Sequence, residues 1–388
     1  MLNGAPWRKV SIVTPSFNQG PFIEETIRSV LLQGYPNLEY IIIDGGSTDG
    51  TVEILRRYEP WLTYWVSEPD RGQSHAINKG WAHATGDWLG WLNSDDIYLP
   101  GVFQRVMDAV VTDPTLDLVY GDVEYVNQDG SHRAVKYSAP FGLRAMALRS
   151  GLIHTPSVFW QRRLNDLAGA LEERYHFSMD NDFWLRVAPH ARCVYLPGAM
   201  GTFRRHDDSK TVHSEFRLVE ETYDIYLRQL ASEPFASLLS EAEKRQILGG
   251  LVWQMGVLAQ RAGRSDQAQR SFLEAIVTHR ILDTPDAAAL RTVKVLLEDR
   301  AAPAEEVAST ICALPLEGKD KQAFASLVWD HFYQVQFYGG FAQGWPKQVI
   351  RSAFPLAKFQ PARLAQRGFV SIFARSLASI LRSTDHAA

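Results

Sequence analysis

Two adjacent carboxylates, Asp95 and Asp96, follow Asn93-Ser94 and the apolar run Trp88-Leu89-Gly90-Trp91-Leu92. An ionised carboxylate at the end of a buried strand is costly unless something pairs with it. A hard divalent cation does so: Mg²⁺ or Mn²⁺ takes one or two protein carboxylates and completes its shell with phosphate oxygens and water. The plainer use for either acid is to cap a helix beginning near Pro100. That reading loses ground when the other candidate strand ends are compared. The first delivers Thr14-Pro15-Ser16-Phe17-Asn18, the second Asp44, and the next Glu68-Pro69-Asp70-Arg71-Gly72. Polar and acidic groups recur where open parallel α/β sheets bind their ligands. Neither a Gly-x-Gly-x-x-Gly turn nor a Walker lysine loop is present, which argues against a dehydrogenase or a P-loop enzyme.

The elements that must position these groups are legible as alternating runs. Val10–Val13 is β-rich, and Phe22, Ile23, Ile27, Val30 and Leu31 fall at helical spacing before Gly34 and Pro36. Tyr40–Ile43, Thr63–Ser67 and Trp88–Leu92 read as further strands, with helices from about Thr51 to Tyr58 and from Gln73. This rhythm predicts an α/β fold, a mostly parallel sheet flanked by helices. Further on, Leu118–Tyr120 and Val123–Val126 are strand-like and Asp129-Gly130 is a hairpin turn. Leu164–Val187 reads as helix, and Val194–Leu196 as a strand that closes at Pro197-Gly198. From about Ser214 the β signal disappears and only helical patterns follow. The expected organisation is a domain over 1–212, a helical domain over 213–343 and a C-terminal segment over 344–388. Within the helical part Trp253, Gly256, Ala259, Gly263, Ala268, Phe272 and Ala275 match the spacings of one tetratricopeptide-like hairpin, or of an ordinary helix pair crossing on small residues.

Bulk properties narrow the function classes. The 388 residues are 46% apolar with eleven Trp, ample for packed cores, and the net charge of −4 carries no nucleic-acid footprint. Cys193 and Cys312 are too few and too far apart to suggest a disulfide framework or a zinc site. Residues 1–10 lack the apolar stretch of a signal peptide, and no window approaches the ~18–20 apolar residues of a membrane span. The expectation is a cytoplasmic protein.

From Val10 to Leu99 the sequence resembles a family 2 glycosyltransferase of the GT-A fold. The matching pieces are Val13–Asn18, Ile43–Thr51, Asp70-Arg71-Gly72-Gln73-Ser74, Asn78-Lys79-Gly80 and Leu92–Asp96, in the family's order and spacing. His154-Thr155-Pro156-Ser157 and Met179–Arg186 resemble its acceptor-side segments, so the likeness covers about residues 8–212. It implies an inverting, hexosyltransferase-like enzyme using a nucleotide-sugar donor. Thr14, Pro15 and Asn18 would lie along the nucleotide base. Asp44 would accept a hydrogen bond from a base ring N–H, which favours uracil, and Gly45 would allow close backbone approach. Asp70, Arg71, Gln73 and Asn78 would hold the ribose and diphosphate side, with Asn93 and Ser94 beside them.

The family's Asp-x-Asp reads Asn93-Ser94-Asp95 here. The resemblance places Mn²⁺ or Mg²⁺ on Asp95, next to Asp96, with His206 completing the site. It assigns Asp180 as the general base that deprotonates the acceptor hydroxyl, with Asp182 as second candidate, although Met179 stands where the family usually has Glu. Both acids also suit the simpler task of capping a helix. The acceptor it implies is a saccharide or lipid-linked saccharide in surface polysaccharide assembly. A nucleotidyltransferase of the same fold is the alternative, though Thr14–Gly20 lacks its basic Gly-rich loop. A non-catalytic binding module with a partner-docking helical half is another.

The stretch from Trp345 to Arg382 carries seven Lys or Arg and no acid, interleaved with Phe369, Val370, Ile372, Phe373 and Leu377. Such a segment either lies on an anionic membrane, giving peripheral contact with the inner face, or packs on the protein with a solvated basic face.

Overall fold

In the computed structural model the apolar runs near the N-terminus become four parallel strands. The structure describes residues 6–138, 141–148, 150–206, 214–297, 303–342, 346–359 and 369–376. Strands β1 (Val10–Ser16), β2 (Leu38–Asp44), β3 (Tyr64–Ser67) and β4 (Trp88–Trp91) lie in the order β3-β2-β1-β4. Helices α1 (Ile23–Leu31), α2 (Thr51–Tyr58) and α3 (Gln73–His83) are the crossovers. Every residue of β1 is buried, as a parallel strand covered on both faces requires. The fit of α3 on β1 is close: a Cβ at Gly80 would stand 2.3 Å from Val13 Cγ1.

β1 runs past the expected end at Val13, through Pro15, to pair Ser16 with Asp44 of β2. The reason is local. β4 pairs with β1 only along Val10–Val13 and leaves it after the Leu92 N–H donates to the Val13 carbonyl. Pro15 points the same way as Val13, so its missing N–H falls where no strand remains to be paired. The divergence of β1 and β4 opens a cleft at their tips.

Beyond β4 the sheet becomes mixed. β5 (Ile97–Tyr98), α4 (Val102–Thr112), β6 (Leu118–Asn127), β7 (His132–Lys136) and α5 (Leu143–Leu148) precede β8 (Val158–Gln161), α6 (Arg163–Ala168), α7 (Met179–Val187) and β9 (Cys193–Arg205). Among the described residues nine strands form one sheet, continuing β4-β8-β6-β9-β5 with β7 on β6. The β6–β7 hairpin turns at Gly130, whose φ is 81°. Neither Asp95 nor Asp96 caps α4; its N-cap is Gly101.

Two elements differ from the sequence reading. β9 does not close at Pro197-Gly198. Its register against β6 shifts around Gly121-Asp122, which absorbs the Pro-Gly kink, and pairing resumes to Asn127↔Arg205. Leu164–Val187 is not one helix either. Gly169 at φ 79° ends α6, and residues 169–178 run without helix before α7 begins.

The chain divides into two compact units, Met1–Ser240 and Glu241–Ala388. Helices α8 (Glu215–Leu230) and α9 (Phe235–Leu238) belong to the first. The expected change of domain at 212/213 falls at residues 207–213, outside the described set. The second unit contains α10 (Glu241–Arg261), α11 (Ser265–Val277), α12 (Pro285–Leu297), α13 (Ala304–Ala313), α14 (Gly318–Ala342) and α15 (Pro346–Phe359). α10 and α11 cross on small residues: Gly256 lies against the Phe272 ring, and Ala259, Ala268 and Ala275 are buried. Trp253 centres this core, 4.9 Å from Phe272 between ring centroids, with its indole N–H donating to Thr292. No described helix is long and apolar enough to cross a membrane. Much of the basic 344–388 segment (residues 344–345, 360–368 and 377–388) lies outside the described residues.

Candidate active site

The tips of β1 to β4 frame a cleft of about 620 Å³. Its floor and rim come from Pro15, Ser16 and Phe17 after β1, Gly45 after β2, Pro69 and Asp70 after β3, and Asn93–Asp96 after β4. The far wall is built by Thr155, by His176, Phe177, Met179 and Asp180 at the start of α7, and by Phe203, Arg204 and His206 at the end of β9. The irregular pairing of β9 therefore carries His206 to the site, past the Pro-Gly where the sequence suggested a stop.

Asp95 and His206 meet on this wall. His206 Nε2 lies 3.1 Å from Asp95 Oδ2. Asp96 sits behind them, buried, with Oδ1 accepting the Arg204 N–H at 2.8 Å and Oδ2 3.4 Å from Asn93 Nδ2. Burial, then the neighbouring Asp95, pushes the Asp96 carboxyl well above the usual carboxylate range. Asn93 is fixed from two sides, its Oδ1 accepting from Trp91 Nε1 (2.8 Å) and Gln73 Nε2 (2.9 Å).

Among the described residues no group of three or more His, Cys, Asp or Glu side chains is placed to hold a metal ion. The Asp95–His206 pair supplies two donors of mixed oxygen and nitrogen type at the cleft wall. That number fits a cation whose remaining ligands are phosphate oxygens and water, so these residues fit a Mn²⁺ or Mg²⁺ shared with a bound diphosphate.

Asp180 lines the same cleft from the first turn of α7, partly buried, with Oδ1 accepting the Asn181 N–H at 2.8 Å. Burial outweighs that hydrogen bond and, with a smaller contribution from the Glu221 carboxylate, raises its carboxyl to about 6. Asp182 is held elsewhere: it is fully buried and ion-paired to Arg186 (2.9 Å) and Arg228 (2.6 Å). A carboxylate committed to two arginines outside the cleft has no reach to an acceptor, so the second candidate for the base is set aside on geometry.

The nucleotide-side residues divide in the same way. Pro15, Gly45, Asp70, Gln73, Asn93 and Ser94 line the cleft. Thr14 is buried against the Tyr40 hydroxyl. Asp44 is buried at the tip of β2. Its Oδ2 accepts from Gly46 N, Ser47 N and Ser67 Oγ, and its Oδ1 from Ser47 Oγ. Asn18, at φ 52°, donates its N–H to Ser47 Oγ and accepts from Thr48 N, stapling the two rim loops together. Asn78 clasps both backbone groups of Leu171. Arg71 is engaged in a bidentate pair with Glu173. Sequence reasoning missed this partner, 102 positions away, along with Arg204. The buried Arg204 guanidinium donates to the Asp95 carbonyl and pairs with Glu25.

A strand-tip cleft lined by carboxylates, on a parallel α/β sheet extended by mixed strands, defines a GT-A glycosyltransferase fold. Residues 11–170 match the sequence model of Glycosyl transferase family 2. An uncharacterized glycosyltransferase of Mycobacterium tuberculosis (strain CDC 1551 / Oshkosh) is 34% identical over 226 residues, 56% of this chain and 85% of that protein. A PGL/p-HBAD biosynthesis glycosyltransferase of Mycobacterium bovis (strain BCG / Pasteur 1173P2) is 29% identical over 180 residues, 45% of this chain and 68% of that one. Among solved structures, S. aureus TarS 1-349 in complex with UDP-GlcNAc matches with a TM-score of 0.52 at 18% identity, over 87% of this chain and 92% of that one. Against a longer TarS chain the TM-score is 0.51 at 17% identity; 90% of this chain aligns, spanning 55% of TarS. At such identities the likeness to TarS is one of fold. The chain belongs to glycosyltransferase family 2.

Proposed function

We propose that the protein is an inverting glycosyltransferase that moves a hexosyl group from a UDP-sugar to the hydroxyl of a saccharide or lipid-linked acceptor in surface polysaccharide biosynthesis. The observation that carries this reading is the position of Asp180. It is a carboxyl held near 6, on the same cleft as the Asp95–His206 pair. A base with a pKa near the working pH combines the ionised form with useful proton affinity. Asp180 takes the acceptor hydroxyl proton as that oxygen bonds to the anomeric carbon. The bond from the anomeric carbon to the phosphate oxygen breaks, and the nucleoside diphosphate leaves with the electron pair. A single base acting opposite the leaving group inverts the centre. Asp95 and His206 would hold Mn²⁺ or Mg²⁺, with Asp96 behind them; the cation supplies positive charge that stabilises the leaving diphosphate.

The UDP reading draws on the similarly folded TarS, solved with UDP-GlcNAc. A base ring N–H would be received by Asp44, which is buried at the tip of β2 next to the cleft-lining Gly45. The acceptor class draws on the M. bovis relative named for PGL/p-HBAD biosynthesis. The cleft lies in the unit that ends at Ser240, and the basic 344–388 segment would give peripheral contact with the inner membrane face.

A thermal-shift screen of nucleotide sugars, with and without Mn²⁺, tests the reading, because ligands of the native state raise apparent stability. UDP-sugars should raise the midpoint, and more so with Mn²⁺. Equal indifference to every nucleotide would sink it.

A further inference from the structure

We propose that Glu221, on α8, is a positioning residue for Asp180. The inference rests on the reading of Asp180 as the base and assigns the group that sets it.

Residues 169–178 carry no helix, yet they bring His176 and Phe177 to the cleft wall and launch α7. Three successive backbone N–H groups in this stretch converge on one carboxylate. His176 N donates to both Glu221 oxygens (2.9 and 3.0 Å), while Phe177 N (2.7 Å) and Ser178 N (3.0 Å) donate to Oε2. Ser178 is the N-cap residue of α7, but its hydroxyl makes no cap bond; it pairs with Thr222 Oγ1 at 2.8 Å. The backbone donors that lead into this helix, up to its N-cap Ser178, are thus served by a carboxylate from another helix, in the manner of a backbone nest around an anion.

The same helix grips the segment at further points. Tyr175 donates to Asp224 Oδ2 at 2.6 Å, and Arg228 holds Asp182 two residues beyond Asp180. Glu221 and Arg228 are seven residues apart, on one face of α8. Both ends of the first turn of α7 are therefore clamped by α8, and the base is oriented by that clamp rather than by its own cap.

The clamp also acts on charge. Glu221 is the charged neighbour that adds to the raising of Asp180, by less than burial does. Asp166 of α6 and His190 also lie on elements packed against α7, and other charged groups there are committed. Asp182 and Arg186 pair with each other, and Arg163 of α6 pairs with Asp117. Arg144 of α5 donates to the Leu238 carbonyl. Around the cleft stand His176 on the same wall, with Asp70, Asp95, Asp96, Arg204 and His206.

The test uses the full chain and reads Asp180 through stability and turnover separately. Between its unfolded pKa of 3.8 and its folded value of about 6, Asp180 is ionised only when unfolded, so stability falls as pH rises through that window. The stability gained by Asp180→Asn should grow from pH 3.8 and level off near pH 6. With Glu221→Gln that levelling should come at lower pH. Glu221→Asp, which keeps the charge but draws it back by one methylene, should fall between. Glu220→Gln, at an exposed neighbour, should leave it in place. An unchanged levelling pH in either folded Glu221 variant overturns the proposal. The second arm is UDP release from UDP-sugars selected by the thermal-shift screen. Retained turnover in Asp180→Asn, with the stability coupling intact, would instead condemn the base assignment.

Discussion

Asp95 and His206 are separated by 111 positions in the chain, yet Asp95 Oδ2 and His206 Nε2 lie 3.1 Å apart on the cleft wall. β4 delivers one and β9 the other, and Arg204 ties the two ends together through the Asp95 carbonyl. Two donors would be a minimal hold on a cation, and a bound diphosphate would have to complete the shell.

Loss of either donor should therefore weaken the cation and the nucleotide together. His206→Ala and Asp95→Asn should each raise the Mn²⁺ concentration needed for a UDP-induced thermal shift by at least about 10-fold. Titration of Mn²⁺ against that shift reads the effect directly, and an unmoved midpoint would remove the pair from the cation site.

Glu39 links the edges of the parallel strands. It is buried and accepts hydrogen bonds from Ser11 and from Thr85, with Lys9 beside it at 2.8 Å. Burial alone would raise its carboxyl; the bonds from Lys9, Ser11 and Thr85 prevail and hold it down to about 2. Its contribution is complete above the unfolded value of 4.5 and is lost as pH falls toward 2. Glu39→Gln should cost about 3 kcal/mol at neutral pH and less as pH drops through that window. Denaturant melts at pH 7 and pH 3 test it.

Gly80 marks the closest approach of α3 to the sheet. Gly80→Ala places a methyl 2.3 Å from Val13 Cγ1, and overpacking of this kind costs about 1–3 kcal/mol. α3 begins at Gln73, the donor to Asn93, so KM for the donor sugar should rise as stability falls. Pairing it with Val13→Ala should restore most of both.

The Asp182 ion pairs give a stability prediction distinct from catalysis. Arg228→Ala leaves a fully buried carboxylate with the Arg186 ion pair and the weaker Gln229 bond, and losing a hydrogen bond to a charged group costs about 1.5–3 kcal/mol. Thermal melting should show the loss, whereas Arg228→Ala together with Asp182→Asn should lose less than the single change.

The first half of the fold was open to reading because its signals are local. Buried runs such as Tyr40–Ile43 end in turns rich in Gly, Pro and Asp, and their tips collect the acids that line the cleft. What was hidden depends on distant partners. Arg71 looks like a free phosphate ligand until Glu173 is seen against it, 102 positions on. Glu221 and Arg228 look like the solvated face of an amphipathic helix, yet they hold residues 43 to 46 positions earlier in the chain. Pro197-Gly198 ends most strands; here the register shift at Gly121-Asp122 lets β9 continue to His206.

The most direct test is the turnover of Asp180→Asn with a UDP-sugar and acceptor identified by screening. A lone amide cannot take the hydroxyl proton, so kcat should fall by about 10²–10⁴, while UDP still raises the melting temperature in the presence of Mn²⁺. Turnover at the wild-type rate would contradict the account at its centre.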